Sequence, residues 1–151
     1  MERAKALDRM MALCSRREYC RKEILAKLTR LEAEDPAGIM ETLCKERYID
    51  ELRYATAFAR DKSSLQGWGS LKIKVALQAK EIPAETVAAA IREIDAPAAD
   101  ARLATLLRNK LHALRGEPDE AVRYRKLLRF GLGRGYDYEQ IKRCYDRIRT
   151  T

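Results

Sequence analysis

Apolar residues recur along this chain at intervals of three and four positions, which is the spacing of one face of an α-helix. Leu7, Met10 and Cys14 follow this spacing near the start of the chain, and Ile141 and Tyr145 follow it near the end. No segment combines strict alternation of apolar and polar residues with the β-branched composition that strands favour. The pattern therefore predicts an all-α fold.

Polar residues and prolines mark where the predicted helices begin. Asp35 is followed directly by a proline, and this pair is typical of an N-cap and the first helical residue. Asp50 and Asp137 are predicted to cap two further helices. The segment from Ser15 to Glu18 fits a capping box that would open the second helix. Together these breaks divide the chain into nine helices.

The fourth helix is predicted to bury a stripe that includes Tyr54, Phe58 and Leu65. It ends at a Gly-Trp-Gly step, Gly67–Gly69, which precedes a lysine-rich amphipathic segment. Because this step follows a helix and lacks the other residues of a dinucleotide or P-loop fingerprint, it is not interpreted as a nucleotide cradle. Trp68 either packs at the joint or contacts a partner, and the sequence leaves both interpretations open.

The helices form three groups of three, and the last two groups align with each other without a gap. The first group aligns with the second after one extra residue. A period of about 45 residues built from helix triplets is typical of helical repeat arrays. We therefore predict three-helix repeats over residues 1–48, 49–95 and 96–151, arranged as an elongated, curved array. The aligned pairs are Leu77 with Gly131, Lys80 with Arg134, Ile82 with Tyr136, Val87 with Ile141, Ile91 with Tyr145 and Ile94 with Ile148, and in the first group Leu28, Ile39 and Leu43 fall opposite Leu77, Val87 and Ile91.

The composition limits the partners and the compartment of the protein. The 151 residues include 31 Lys and Arg against 23 Asp and Glu, and the net charge of +8 favours a polyanion or an acidic protein surface as partner. The four cysteines form no CxxC pair and only one histidine is present, so no metal or other cofactor is expected. The sequence has no signal-peptide core and no apolar stretch of about 20 residues, so we expect a cytoplasmic protein without a membrane partner.

The sequence offers no catalytic constellation. His112 has no paired carboxylate at a useful helical spacing, and no serine or cysteine lies in a nucleophile-elbow context. We therefore expect neither an enzyme nor a small-molecule substrate.

Basic residues are the most informative side chains of the sequence. In the eighth predicted helix they form a run without an intervening acid, whereas acidic residues gather at that helix's N-terminus, where the helix dipole favours them. Other cations surround the Gly-Trp-Gly step. Each single residue is equally consistent with a solvated helix face, but the clustering in two repeats favours an interaction surface. The candidate binding residues are Arg53, Arg60, Lys62, Lys72, Lys74, Arg123, Arg125, Lys126, Arg129 and Arg134.

Three ordered motifs in the chain resemble the RecX family of recombination regulators. The first is YIDELRYATAFARDK at Tyr48–Lys62, the second is GWGSLKIKVALQAKEI at Gly67–Ile82, and the third is KLLRFGLGRGYDYEQI at Lys126–Ile141. The opening segment SRREYCRKEILAKL also resembles the start of the family's pattern. The order and spacing of these motifs extend the resemblance over essentially the whole chain.

The sequence departs from the family's pattern mainly at turns. Arg47 and Glu81 stand where the family usually has glycine, and Glu51 replaces a second aspartate. Gly131 and Gly133 are further departures. Because Gly131 replaces a core leucine, we expect weaker packing of that helix.

The resemblance implies a non-enzymatic protein of tandem three-helix repeats that binds the RecA recombinase filament in its groove. It further implies that the protein limits the ATPase, strand-exchange and coprotease activities of RecA in DNA repair and the SOS response. The basic residues named above would then contact the filament or its DNA, single- or double-stranded. The alternative is a general DNA-binding helical repeat that contacts backbone phosphates and needs no recombinase.

Overall fold

A computed structural model describes residues 1–150, and within this range the chain forms nine α-helices and no strand. The all-α prediction and the predicted number of helices are therefore confirmed. The helices are α1 (Arg3–Cys14), α2 (Arg21–Arg30), α3 (Pro36–Lys45), α4 (Glu51–Gln66), α5 (Ser70–Ala79), α6 (Ala84–Arg92), α7 (Ala96–Ala113), α8 (Glu120–Gly133) and α9 (Tyr138–Arg149).

Aspartate side chains cap the helices where the sequence predicted them. An Asp35 carboxylate oxygen accepts a hydrogen bond from the backbone N–H of Gly38 at 3.1 Å, at the start of α3. Asp50 accepts from the backbone N–H of Arg53 at 3.0 Å, and Asp137 accepts from that of Gln140 at 2.8 Å. Each such cap stabilises its helix by about 1 kcal/mol.

The capping box of α2 lies five residues later than predicted. Ser15 belongs to the end of α1, where its hydroxyl donates to the carbonyl of Met11 at 2.8 Å. The box is formed instead by Cys20 and Glu23, and the Cys20 backbone N–H donates to the Glu23 carboxylate at 3.0 Å. Both Ser15 and Cys20 are followed three residues later by a glutamate, as a capping box requires. Cys20 is fully buried, so packing favours the box that begins at Cys20. The prediction that Ser15 to Glu18 opens α2 is wrong.

The first compact unit comprises residues 1–57 and 77–90. In it, α1 and α2 both pack against α3. The Lys22 ammonium group also donates to the carbonyl of Ala79 at 3.0 Å, which ties α2 to the end of α5. The fully buried side chains of this core include Met10, Ile24, Leu28, Ile39 and Leu43.

The second compact unit comprises residues 58–76 and the chain from Ile91 onward, and its core is formed by α7, α8 and α9. Leu107, Leu127 and Ile141 are fully buried there. A Cβ atom added at Gly131 would lie 2.7 Å from the Cδ1 atom of Ile141. Ile141 therefore occupies the space beside this glycine, and the weaker packing expected at Gly131 does not take the form of a void.

The stripe predicted for α4 is only partly buried. Tyr54 is buried and Phe58 is half-buried, but Leu65 is 75% exposed, so its assignment to the stripe is wrong. The last buried position is taken by Ser63, whose hydroxyl accepts a hydrogen bond from the Arg102 guanidinium at 2.8 Å. A hydroxyl that has a hydrogen-bond partner can be buried at little cost in free energy. For this reason a serine can occupy the last buried position of α4.

The second helix of every group ends in the same backbone motif. In each case a backbone N–H donates to the carbonyl of the residue five positions earlier, which lies near the end of the helix. The residue just before the donor has a left-handed backbone conformation, as in a Schellman motif. The predicted alignment of the groups therefore has a structural counterpart, although the repeat boundaries at 48/49 and 95/96 stay a prediction. The three bonds join Ala33 to Leu28, Ile82 to Leu77 and Tyr136 to Gly131, and the left-handed residues are Glu32 (φ 51°), Glu81 (φ 59°) and Gly135 (φ 97°).

Candidate functional site

The charge of the protein is divided unequally between the two units. The first unit contains 13 Lys and Arg and 13 Asp and Glu, so its formal net charge is zero. The second unit contains 18 Lys and Arg against 10 Asp and Glu and therefore carries the whole net charge of +8. We therefore expect a surface that attracts a polyanion or an acidic protein to lie in the second unit.

Two short loops of the second unit are in direct backbone contact. The N–H of Gly69 donates to the carbonyl of Arg134 at 2.7 Å, and the N–H of Leu71 donates to the carbonyl of Gly135 at 3.0 Å. A Cβ atom at Gly69 would lie 2.4 Å from the carbonyl carbon of Gly135, and one at Gly135 would lie 2.4 Å from the Cβ atom of Lys72. Only glycine at both positions allows this approach, which fixes the start of α5 beside the end of α8.

Trp68 lies on this joint with two lysines over its indole ring. The edge of Phe58 faces the ring at a centroid distance of 6.3 Å and an interplanar angle of 74°. The ammonium nitrogens of Lys62 and Lys72 lie 4.8 and 4.5 Å from the ring centroid. Neither lysine forms an ion pair with a carboxylate of residues 1–150. The half-buried indole therefore packs at the joint and also holds two unneutralised cations, and its contact with a partner stays a prediction.

Arg134 belongs to the same cluster. Its guanidinium donates to the carbonyl of Gln66 at 3.0 Å and lies 5.5 Å from the ring centroid of Phe130. The ammonium of Lys110 lies 5.4 Å from the same ring. Three of the sequence-predicted residues, Lys62, Lys72 and Arg134, are thus brought together around the Gly67–Gly69 loop.

The basic run of α8 separates into two pairs. The first pair folds back on Glu117: the Arg123 guanidinium donates to the Glu117 carbonyl, and the Lys126 ammonium lies 3.9 Å from its carboxylate. The second pair, Arg125 and Arg129, is exposed and forms no ion pair within the described part of the chain. These two arginines line a shallow groove of about 570 Å³ together with Leu128, Leu132 and Gly133.

The structure places the other predicted residues outside these clusters. Arg53 lies in the first unit, where its guanidinium donates to the Glu18 carboxylate at 2.6 Å and to the Arg47 carbonyl at 3.1 Å. The hydrogen bond to Glu18 raises the pKa of Arg53, and these bonds give the side chain a structural role. Arg60 lies 3.8 Å from Asp61 on the surface of α4, and Lys74 is exposed on α5.

Arg102 is a half-buried cation of the second unit that is not among the residues predicted from the sequence. Its guanidinium bonds to Ser63 and lines a recess that Arg134 also lines. Burial raises the pKa of the Tyr136 hydroxyl, and the positive charges of Arg102 and Arg134 act against this rise. The available signal was an arginine four residues from Leu106, within the apolar stripe of α7.

Metal-binding clusters and membrane-spanning helices are both absent from the described range. Within residues 1–150, no three His, Cys, Asp or Glu side chains are grouped closely enough to hold a metal ion. All four cysteines are free thiols, and Cys20 and Cys144 are buried. Among the helices of this range, none is both long and apolar enough to cross a bilayer. His112 is exposed on α7.

Comparisons with known proteins match most of the chain. Residues 50–91 match the second three-helix domain of RecX, and residues 99–145 match the third. The chain is 31% identical to the regulatory protein RecX of Prosthecochloris aestuarii over 97% of its own length and 95% of the relative's. It is 28% identical to the regulatory protein RecX of Chromohalobacter salexigens over 89% of its length and 87% of the relative's.

Solved structures show the same fold. The crystal structure of RecX from Lactobacillus salivarius superimposes with a TM-score of 0.88 at 20% identity and covers 98% of this chain and 97% of its own. A second crystal structure of a regulatory protein RecX gives a TM-score of 0.87 at 20% identity, over 95% of this chain and 71% of that one. By sequence and by the order of its three-helix domains, this chain belongs to the RecX family of regulatory proteins.

Proposed function

We propose that this protein binds the RecA nucleoprotein filament and restrains its recombinase and coprotease activities in DNA repair and the SOS response. Membership in a family of regulatory proteins is the observation that carries the proposal. In this proposal the protein acts in the cytoplasm by binding, without catalysis and without a cofactor.

The charge of the second unit supports a partner that contains DNA. Lys62 and Lys72 present two ammonium groups over Trp68, and Arg125 and Arg129 present two guanidiniums on α8, all without a carboxylate partner among residues 1–150. Phosphates of a filament's DNA would neutralise these charges and release condensed counterions. The same four residues form the surface that we propose for the filament or its DNA.

A general DNA-binding protein is the second candidate function. It is favoured by the concentration of the whole net charge of +8 in one unit. This alternative predicts tight binding to bare DNA, with a log affinity that falls against log salt by roughly 0.9 for each phosphate contacted on a duplex or roughly 0.7 on a single strand. The regulator, in contrast, requires the recombinase.

The deciding experiment is a titration of the protein into a DNA-dependent RecA ATPase assay and a strand-exchange assay. We expect both activities to fall in proportion to the ratio of protein to filament sites, because a binding inhibitor acts stoichiometrically. Binding to bare DNA of the same length is measured in parallel at several salt concentrations. Unchanged ATPase and strand exchange at several-fold excess over filament sites would refute the regulatory function, whatever the affinity for bare DNA.

A pair of matched variants tests the proposed surface. Lys62→Gln with Lys72→Gln removes the two cations over Trp68, and Lys5→Gln with Lys45→Gln removes the same charge from exposed positions of the first unit. We expect the first variant to weaken inhibition and the second to leave it unchanged. If both variants inhibited RecA as strongly as the unmodified chain, the surface around Trp68 would not contact the filament.

A further inference from the structure

A recess of about 480 Å³ opens between the end of α4 and α7 in the second unit. Its walls combine two kinds of side chain. The guanidiniums of Arg102 and Arg134 and the hydroxyl-bearing Thr105 supply polar groups, whereas Leu65 and Leu106 supply aliphatic surface. Leu65 is the large apolar side chain with the highest exposure in the described range, at 75%, and it stands at this recess.

The two guanidiniums of the recess are not neutralised within the protein. Neither Arg102 nor Arg134 has a carboxylate of residues 1–150 within ion-pair distance. Asp100 is close enough to act on the pKa of Tyr136 but pairs with neither arginine. Because both guanidiniums line the same recess, an anion bound there would be attracted by two positive charges.

Arg102 also has an unsatisfied donor. Its Nη2 atom donates to the Ser63 hydroxyl at 2.8 Å, but its Nε atom is buried and has no acceptor. A buried donor without a partner costs about 1 to 3 kcal/mol and calls for a physical explanation. The side chain is held in this partly desolvated position by Ser63, with its charge directed to a surface recess. This arrangement is typical of a guanidinium positioned to receive an anion.

The chemistry of the walls favours a carboxylate over a phosphate. A planar guanidinium matches a carboxylate through two parallel hydrogen bonds, and such pairs are strong where water is partly excluded. A nucleic-acid backbone is bound mainly by cations along its path, whereas Leu65 and Leu106 give this recess an aliphatic surface that a phosphate would not use. A ligand with an acidic residue beside a large aliphatic residue would match both the guanidiniums and the leucine side chains of the recess.

We propose that this recess binds an acidic side chain, flanked by a large aliphatic side chain, of a protein partner. The carboxylate pairs with Arg102 and Arg134, and the aliphatic neighbour covers Leu65. The recess shares Arg134 with the cluster around Trp68, but Arg102, Leu65 and Leu106 are not among the residues that carry the proposed contact with DNA. The identity of the partner as RecA rests on the proposed function, whereas the chemistry of the recess does not.

A designed peptide tests the recess without RecA or DNA. The probe is a blocked, fluorescein-labelled peptide in which glutamates alternate with leucines, and its control carries glutamines in place of the glutamates. Binding to the full chain is measured by fluorescence anisotropy. We expect the acidic peptide to bind, the amide peptide to bind at least tenfold more weakly, and Arg102→Gln to lower the affinity for the acidic peptide about tenfold or more.

Matched variants separate the recess from the general charge. Arg108→Gln removes the same charge from an exposed position of α7 and should leave peptide binding unchanged. Leu65→Ser alters only an exposed wall residue and should weaken the acidic peptide several-fold, so it decides the question if Arg102→Gln does not fold. A fluorescein-labelled oligothymidine should bind Arg102→Gln as well as it binds the unmodified chain.

Four results of the peptide assay would overturn the assignment. They are absence of peptide binding, equal binding of the amide peptide, equal loss in Arg108→Gln and Arg102→Gln, and normal peptide binding by Leu65→Ser. A loss of oligothymidine binding in Arg102→Gln would assign the recess to nucleic acid and would also overturn it. Because the peptide assay contains no recombinase, its failure would leave the RecA titration to be judged separately.

Discussion

The two units of the molecule use their charged residues in opposite ways. In the first unit, several basic side chains form ion pairs with carboxylates of the same unit. Arg53 pairs with Glu18 at 2.6 Å, and Lys80 and Arg17 both pair with Glu23 at 3.7 Å. In the second unit the ion pairs of the described residues are confined to the surfaces of α4 and to the turn before α8. The first unit has no net charge, whereas the second unit leaves most of its basic side chains without an ion pair among the described residues.

This difference shows that net charge is informative only when it is assigned to compact units. A value of +8 spread over the chain would describe a weakly basic surface, but the same value confined to one unit raises the local potential that steers an anion. The pairing of Arg53 illustrates the point. Arg53 and Arg60 lie seven residues apart on α4, yet they belong to different units.

The largest effect is expected when the unpaired charge of the second unit is reversed. Arg125→Glu combined with Arg129→Glu should weaken binding to RecA-coated single-stranded DNA about 100-fold at low salt and reduce the salt slope by roughly one for each phosphate that is no longer neutralised. Binding isotherms over a range of salt concentrations measure both quantities. Helicity by circular dichroism should be unchanged because both side chains are exposed.

The matched control places the same reversal in the neutral unit. Lys5→Glu combined with Arg16→Glu changes two exposed positions of the first unit and should leave the affinity within about twofold at moderate salt, where distant charges are screened. If this control lost as much affinity as the α8 variant, the comparison between the units would have no bearing on binding.

The second largest effect should come from the glycine joint that positions the cations of the second unit. Gly135→Ala places a Cβ atom 2.4 Å from the Cβ atom of Lys72 at a residue with φ of 97°. We expect a loss of about 2 kcal/mol in the free energy of unfolding, because crowding and backbone strain act together. Urea unfolding followed by circular dichroism measures the change. Gly133→Ala, which meets no atom within 4 Å, should change stability by less than about 1 kcal/mol.

The equivalent joint of the first unit should respond in the opposite direction. Glu81 occupies the left-handed position that Gly135 occupies in the second unit, with φ of 59°. Glu81→Gly should therefore raise the free energy of unfolding by about 1 kcal/mol, because glycine adopts this conformation without the Cβ penalty. Its exposed contact with Lys22, at 4.0 Å, contributes little. Glu81→Ala should show no comparable gain, and a gain equal to that of glycine would exclude backbone strain as the cause.

The smallest expected effect is the contribution of Glu23, in the first unit, to the pH dependence of the free energy of unfolding. Burial acts to raise the pKa of Glu23, but hydrogen bonds from Cys20 and the charges of Lys80 and Arg17 outweigh it and hold the pKa below its ordinary value of 4.5. The folded state thus binds this proton less tightly than the unfolded state does. Its contribution to stability is complete above the ordinary pKa and is lost as the pH falls through the lowered one.

Urea unfolding measured from neutral pH to below about 4.5 tests this contribution. The stability difference between the unmodified chain and Glu23→Gln should be largest at neutral pH and should disappear on acidification. A difference that stays constant with pH would mean that Glu23 acts through hydrogen bonding alone and not through its charge.

The sequence was sufficient to predict what depends on local structure. Asp35, Asp50 and Asp137 cap helices because their side chains bond to backbone groups three residues away, which periodicity and residue type reveal directly. The departures at Arg47 and Glu81 were also local: both residues are left-handed in the structure, with φ of 61° and 59°, where a glycine would be unstrained.

The sequence could not predict what depends on distant neighbours. Ser63 is buried in place of Leu65 because Arg102, 39 residues away, satisfies its hydroxyl. The start of α2 was misplaced because burial of Cys20 is decided by packing. Among the candidate cations, Arg123 and Lys126 turn back to Glu117, and only the three-dimensional structure distinguishes them from Arg125 and Arg129.

Trp68, as the chain's only tryptophan, gives the second unit an optical signature of its own. The first unit contains Tyr19, Tyr48 and Tyr54 but no indole, so excitation at the red edge of the absorption band reports on the second unit alone. Departure of the lysines from the ring on unfolding should change both the intensity and the wavelength of emission. Comparison of this signal with far-ultraviolet circular dichroism during heating would reveal, without any label, whether the neutral and the charged unit melt together or in succession.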